Sequence, residues 1–132
     1  MTSVSENSST VTPSGSNSAR TFGTNSTVQV AGGVDFTSGA TNINGNLQIN
    51  AGGFVNTNAP TYGSASTLIY NSGGTYTAGV EWASNATSGT GVPANVTIGN
   101  GVNTTLSFGT ASLYRAARGN VLISASSGLT LS

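Results

Sequence analysis

From residue 21 onward, apolar side chains come in short alternating bursts set among Gly, Ser, Thr and Asn. Five bursts share one phrase: Thr27-Val-Gln-Val30, Asn46-Leu-Gln-Ile49, Thr67-Leu-Ile-Tyr70, Asn95-Val-Thr-Ile98 and Asn120-Val-Leu-Ile123. Period-two alternation of β-branched and aliphatic residues bounded by turn formers predicts a strand at each. Three phrases are introduced by a small residue and Asn (Gly45-Asn46, Ala94-Asn95, Gly119-Asn120), and the other two carry Thr at the Asn position. After each phrase a small or glycine-containing turn leads to further apolar residues: Val34 and Phe36, Phe54, Tyr76, Leu106 and Phe108, Leu129 and Leu131. Each unit therefore predicts two strands and a bend. No window keeps apolar residues at three-to-four spacing, so helices are not expected. The stretch Ser112-Leu-Tyr-Arg-Ala-Ala-Arg118 is the exception, and it reads as strand and loop with at most a single helical turn.

The phrase anchors Val28, Leu47, Leu68, Val96 and Val121 are separated by 19, 21, 28 and 25 residues, the coil lengths of a solenoid. One such unit cannot stand alone. Its few inward side chains gain roughly 1.5–3 kcal/mol each, against ~1–2 kcal/mol of backbone entropy for every residue ordered. Stacking the units at about 4.8 Å pairs each strand with those above and below and lines the anchors into an interior ladder. The expected fold is all-β, a parallel β-helix of about five coils with irregular loops. Residues 1–20, nearly devoid of aliphatic side chains, form a polar leader or N-terminal cap, and residues 21–132 form the repeat domain. Asn46, Asn95 and Asn120 are expected to build a side-chain amide ladder at one corner, as stacked Asn does in cross-β assemblies. The long interval from Tyr70 to Asn95 should protrude as a loop over residues 77–93. A β-sandwich of short strands would suit the strand spacing too, but the five-fold phrase favours the solenoid.

Composition sharpens the functional picture. Ser, Thr, Asn and Gly make up 74 of 132 residues, and there are three Arg, no Lys, three acidic residues, no His and no Cys, for a net charge of zero. The basic footprint that nucleic acid or an anionic membrane requires is missing. No cofactor or metal set is recognisable, since the commonest ligands are absent. Enzymatic chemistry is not expected either. Cleavage of a polysaccharide needs paired carboxylates, whereas Glu6, Asp35 and Glu81 are scattered, and Asp35 and Glu81 are expected on the solvated outer face, Glu81 beside Arg115 or Arg118. No apolar run approaches the roughly 18 residues of a membrane span, so membrane insertion is not expected. The start of the chain lacks the basic and apolar regions of a signal peptide.

Among the aromatic residues, Tyr62, Tyr76 and Trp82 are the candidates for stacking on carbohydrate, provided they face outward around the long loop; core filling is the competing assignment. Regular Thr-x-Thr pairs can match an ice surface, but only Thr75-Tyr-Thr77 shows that spacing clearly. Five Asn-x-Ser/Thr sequons, at Asn7, Asn25, Asn85, Asn95 and Asn103, are about what chance supplies at this Ser and Thr content, so they carry no inference of glycosylation.

The phrases Thr67-Leu-Ile-Tyr-Asn-Ser-Gly-Gly-Thr-Tyr76, Val80-Glu-Trp82, Gly91-Val-Pro-Ala-Asn-Val-Thr-Ile98 and Thr105-Leu-Ser-Phe108, in this order, resemble the β-strand repeat regions of large secreted surface proteins of the Bacteroidota type, exported by the type IX system. The resemblance covers residues 59–132 well and residues 21–58 as generic repeats. It implies an extracellular, cell-surface β-solenoid segment of an adhesin-like protein, a rigid spacer or fibre unit, and it brings no catalytic residues with it. A sorting domain and a signal peptide are lacking, which reads as an excised piece. The chain stops at Leu129-Thr-Leu-Ser132, inside a strand pattern, so self-association through the solenoid ends is expected, or a leader folded over the first coil.

Overall fold

The computed structural model describes residues 9–10, 20–37, 41–110 and 112–131. The strands are β1 (Ser9–Thr10), β2 (Arg20–Phe22), β3 (Thr27–Val30), β4 (Gly33–Val34), β5 (Thr41–Ile43), β6 (Asn46–Asn50), β7 (Phe54–Val55), β8 (Thr61–Tyr62), β9 (Thr67–Asn71), β10 (Thr75–Thr77), β11 (Asn95–Ile98), β12 (Thr105–Ser107), β13 (Val121–Ile123) and β14 (Gly128–Thr130). All are paired in parallel, and the described residues contain no helix. The chain is a β-solenoid of about five turns. Among the described residues no sheet holds the antiparallel pairing that a sandwich requires.

The repeated phrase forms the longest wall, a six-stranded sheet in the order β1-β3-β6-β9-β11-β13. Its register sets Val28 against Leu47, Leu47 against Leu68, Leu68 against Val96, and Val96 against Val121. A second inward row runs Val30, Ile49, Tyr70, Ile98 and Ile123. Within both rows the first four side chains are buried, while Val121 and Ile123 lie open in the last coil, at 46 % and 44 % exposure. Two further walls complete the cross-section: β4-β7 and β10-β12-β14 on one side, β2-β5-β8 on the other. Their inward residues, including Val34, Val55, Ile43, Tyr62 and Leu106, join the same core cluster. Parallel stacking is what lets this glycine- and serine-rich chain fold, because each new coil satisfies the backbone donors and acceptors of the last.

The Gly52-Gly53 corner shows why the bends need glycine. Gly52 takes a left-handed φ of 76°. Gly53 needs space, because a Cβ there would run into the Val30 carbonyl of the coil below. Gly53→Ala is therefore expected to cost about 1–3 kcal/mol through overpacking. Gly32→Ala, where a Cβ meets nothing within 4 Å, should stay within about 0.5 kcal/mol of the parent in the same thermal unfolding experiment.

Amide stacking at the start of the repeated strands does not form as expected. In that column Asn alternates with Thr: Asn46 lies between Thr27 and Thr67, and Asn95 beside Thr67. The Asn46 amide accordingly donates to Thr27 Oγ1 (3.2 Å), and the Asn95 amide donates to the Ser66 carbonyl (3.2 Å). Asn95 Oδ1 accepts from the backbone N–H of Asn120 (3.1 Å). An amide network does exist, at the other end of the strands and on the outer face. Asn50 donates to Gln29 (3.2 Å) and accepts from Gln48 (2.8 Å), and Asn100 donates to Gln48 (3.1 Å).

The long interval also departs from expectation. Residues 84–90 include an exposed run at 87–90, but Glu81 and Trp82 turn into the core, and the Ala83 N–H bonded to the Gly91 carbonyl (2.7 Å) closes the loop behind them. A second insert, residues 112–119, lies along the first. Ser84 and Arg115 form an antiparallel bridge, the Asn85 N–H donates to the Tyr114 carbonyl (2.8 Å), and the Arg118 N–H donates to the Pro93 carbonyl (3.1 Å). Sheet β2-β5-β8 serves only the early coils, and these two inserts wall the later ones.

Candidate functional site

The inserts meet the core around Glu81. A turn through Gly79 and Val80, with the Trp82 N–H bonded to the Gly79 carbonyl (3.4 Å), drives two consecutive side chains inward. Glu81 is 0 % exposed and Trp82 2 %. Burial next to three tyrosines replaces the solvated position expected for this carboxylate. Its Oε1 accepts from the Tyr70 hydroxyl (3.0 Å) and from the Gly79 N–H (2.8 Å), while Oε2 is buried with no hydrogen-bond partner. The Tyr62 hydroxyl donates to the Glu81 backbone carbonyl (2.8 Å).

Arg115 approaches from the second insert but does not spend its donors on the carboxylate. Nη1 donates to the Gly79 carbonyl (2.8 Å) and Nη2 to the Ala78 carbonyl (2.6 Å), with the guanidinium 5.6 Å from the centre of the Phe108 ring. Arg118 likewise donates to the carbonyls of Tyr62 (2.8 Å) and Gly63 (3.0 Å). The two arginines thus pin the second insert to the third coil and to the start of the first insert through backbone carbonyls. Burial pushes the Glu81 carboxyl above the ordinary range, against the lowering effect of its hydrogen bonds from Gly79 and Tyr70 and the charge of Arg115. Burial and the neighbouring carboxylate push the Tyr62, Tyr70 and Tyr76 hydroxyls up as well.

The three aromatic residues expected to meet carbohydrate are placed elsewhere. Trp82 packs against Tyr70 (centroids 6.3 Å apart, planes at 28°) and edge-on to Phe108 (5.4 Å, 82°), and its indole N–H donates to the Ala116 carbonyl (2.9 Å). Tyr62 is buried, and Tyr76 is half-buried with its ring 5.3 Å from that of Tyr70. The physical reason is area: rings of this size are the largest apolar surfaces in a chain short of them, and the solenoid interior takes them. No outward-facing platform of Tyr62, Tyr76 and Trp82 exists.

A groove of about 540 Å³ lies outside this cluster, lined among others by Thr57, Asn58, Val80, Ser84, Thr90 and Arg115. Asn58 also donates to Asp35 (2.9 Å), and with the Thr37 N–H (3.0 Å) it holds the half-exposed Asp35 carboxyl below its usual value. The groove wall presents hydroxyls, one amide and a guanidinium already engaged with carbonyls. Among the described residues no group of three His, Cys, Asp or Glu could hold a metal ion, and no helix is long and apolar enough to cross a membrane.

The ladder residues Val28, Leu47, Leu68, Val96 and Val121 were legible from spacing alone, whereas the Glu81 cluster was not. Its only signal was the order of residues around it: a carboxylate followed by the chain's single Trp, between a glycine turn and an apolar strand. Comparison with family models, curated proteins and solved structures finds no match to this chain.

Proposed function

We propose that this chain is a structural module of a secreted cell-surface protein: a rigid, charge-poor β-solenoid segment that acts as a spacer or fibre unit and associates through its ends. The adhesin-like surface proteins of the Bacteroidota type are its proposed setting. One observation carries the reading. The ladder of repeated strands continues from β1 to β13, and the large aromatic side chains that a binding face would use, apart from Phe54 and Tyr114, are turned toward the core. Every coil adds length and stiffness, and on the outer face the side-chain amides of Gln29, Gln48, Asn50 and Asn100 are bonded to one another.

Prolonged digestion of the full chain with a broad-specificity protease, paired with a glycan array, tests this. A surviving fragment covering residues 20–131 and no retained glycan are the expected results. Rapid cleavage within residues 46–98 would overturn the rigid spacer. Saturable glycan binding that Thr90→Trp abolishes, by filling the groove, would replace it with a binding module.

A further inference from the structure

Two Asn-Gly pairs occur in the chain, Asn44-Gly45 and Asn100-Gly101. This dipeptide leaves an Asn amide open to attack from its own backbone, because glycine has no Cβ to keep its nitrogen away from the side-chain carbonyl carbon. Neither glycine N–H has a hydrogen-bond partner among the described residues, so the surroundings of each pair decide its chemistry. Asn44-Gly45 is clamped between coils. The Asn44 N–H donates to the Phe22 carbonyl (2.9 Å) and the Asn46 N–H to the Ser26 carbonyl (2.8 Å), while the Gly45 carbonyl accepts from the Thr67 N–H (3.1 Å). A Cβ on Gly45 would run into the Ser26 and Gly23 carbonyls, and one on Gly63 would run into the Asn44 side chain, so the coils before and after lie directly on the pair. Asn100-Gly101 sits instead at an open corner. Both residues are exposed, and a Cβ on Gly101 would meet nothing within 4 Å. The Asn100 N–H is held by a side chain alone, Asn71 Oδ1 (2.9 Å), between two left-handed glycines, Gly99 at φ 81° and Gly101 at φ 95°.

We infer that Asn100 is a self-modification site, where water converts the side-chain amide to a carboxylate through a cyclic imide closed by Gly101. The bond from Asn100 Nδ2 to Gln48 Oε1 (3.1 Å) is exposed and opens to water at little cost. The Gly101 nitrogen, its proton taken by hydroxide, bonds to Asn100 Cγ. The Cγ–Nδ2 bond breaks, and the nitrogen leaves as ammonia with a proton from water. A second water opens the five-membered imide at either carbonyl, giving aspartate or, with the chain routed through the side chain, isoaspartate. Nothing is oxidised or reduced. Glycine on both sides lets the corner take the extra backbone carbon of the isoaspartate link. The new carboxylate also changes the outer amide network. In the unmodified chain donation runs one way, from Asn100 to Gln48, from Gln48 to Asn50 and from Asn50 to Gln29. A carboxylate only accepts, whereas each carboxamide has a donor end and an acceptor end. Turning over the three remaining amides reverses the relay and keeps every bond, while the net charge falls from zero by one unit.

Incubating the full chain in mildly alkaline heavy-oxygen water below its unfolding transition, then mapping its chymotryptic peptides in ordinary water, tests the site. Heavy oxygen should enter at residue 100, in aspartate and isoaspartate together, many-fold faster than at Asn44. In denaturant the two pairs should react at similar rates. Asn100→Gln, whose longer side chain closes an imide far more slowly, should show no label at residue 100 over the same period. Asn100→Asp should keep the wild-type unfolding midpoint. An unlabelled Asn100, equal labelling of Asn44 and Asn100 in the folded chain, or equal labelling of Asn100→Gln would overturn the inference. A lowered midpoint in Asn100→Asp would overturn the reversal of the relay. The protease and glycan results read the spacer assignment independently of these.

Discussion

Chemical denaturation of the wild-type chain should give a stability that rises as the pH is lowered from neutral toward about 4.5, and Glu81→Gln should flatten that rise. The cause is the buried carboxyl. Its ordinary value is 4.5, and burial raises it in the folded state. The folded chain therefore binds this proton more tightly than the unfolded chain does. Stability from it is complete below 4.5 and is lost as the pH climbs through the raised folded value, with a slope of at most about 1.4 kcal/mol per pH unit. The tyrosines that face Glu81 do not interfere: Tyr62 on β8, Tyr70 on β9 and Tyr76 on β10 are pushed further above their ordinary range. Asp35 acts in the opposite sense. Held below 3.8 by Asn58 and Thr37, it stabilises above that value and loses its contribution as the pH falls through its lowered one. For these two groups the optimum thus lies near pH 4, an unusual place for a folded protein. The glutamine variant keeps an acceptor for Tyr70 and Gly79 without a charge to bury, so its profile should be level from pH 7 to 4.5. A wild-type midpoint that drops over that interval would mean that the carboxylate is ionised and compensated.

Trp82→Ala is expected to cost about 3–5 kcal/mol, a large share of the roughly 5–15 kcal/mol that keeps a domain folded. The truncation empties the space between Tyr70 and Phe108 and leaves the Ala116 carbonyl without its indole donor. Tyr114→Ala, at a ring 53 % exposed, should change the denaturation midpoint by no more than about 0.5 kcal/mol. The comparison separates a core tryptophan from a surface one. Unchanged stability in Trp82→Ala together with loss of sugar binding would return the residue to the platform that its position beside a long loop had suggested.

The contrast between Leu68 and Glu81 explains what could be read in advance. Leu68 belongs to a phrase that recurs, and recurrence at coil length specifies both fold and register, because identical strands stack best when their inward residues coincide. Glu81 lies in an insert that occurs once, with nothing elsewhere in the chain to align it against. Its charge predicts solvent, yet its neighbour Trp82 has far more apolar area to hide, and the short Gly79-Val80 turn carries the two inward together. The amide network shows the same limit at smaller scale. Asn before three of the anchors was visible as a column, but Thr interrupts it at positions 27 and 67, and the amides bond instead to the Thr27 hydroxyl and to the Ser66 carbonyl. The network through Gln48, Asn50 and Asn100 depends on side chains 52 residues apart in sequence, which only the coil closure brings within reach.

The interleaved inserts alter how such a rod would come apart. In a simple array each layer touches only its neighbours, so layers can peel from an end one at a time. Here Trp82 is tied to Ala116, and Arg118 reaches past the fourth coil to the carbonyls of Tyr62 and Gly63. Removing the last layer must also tear this clasp from the third, so the distal three layers should fray as one cooperative block, with amide exchange in β9, β11 and β13 slowed together rather than in a gradient toward the tip.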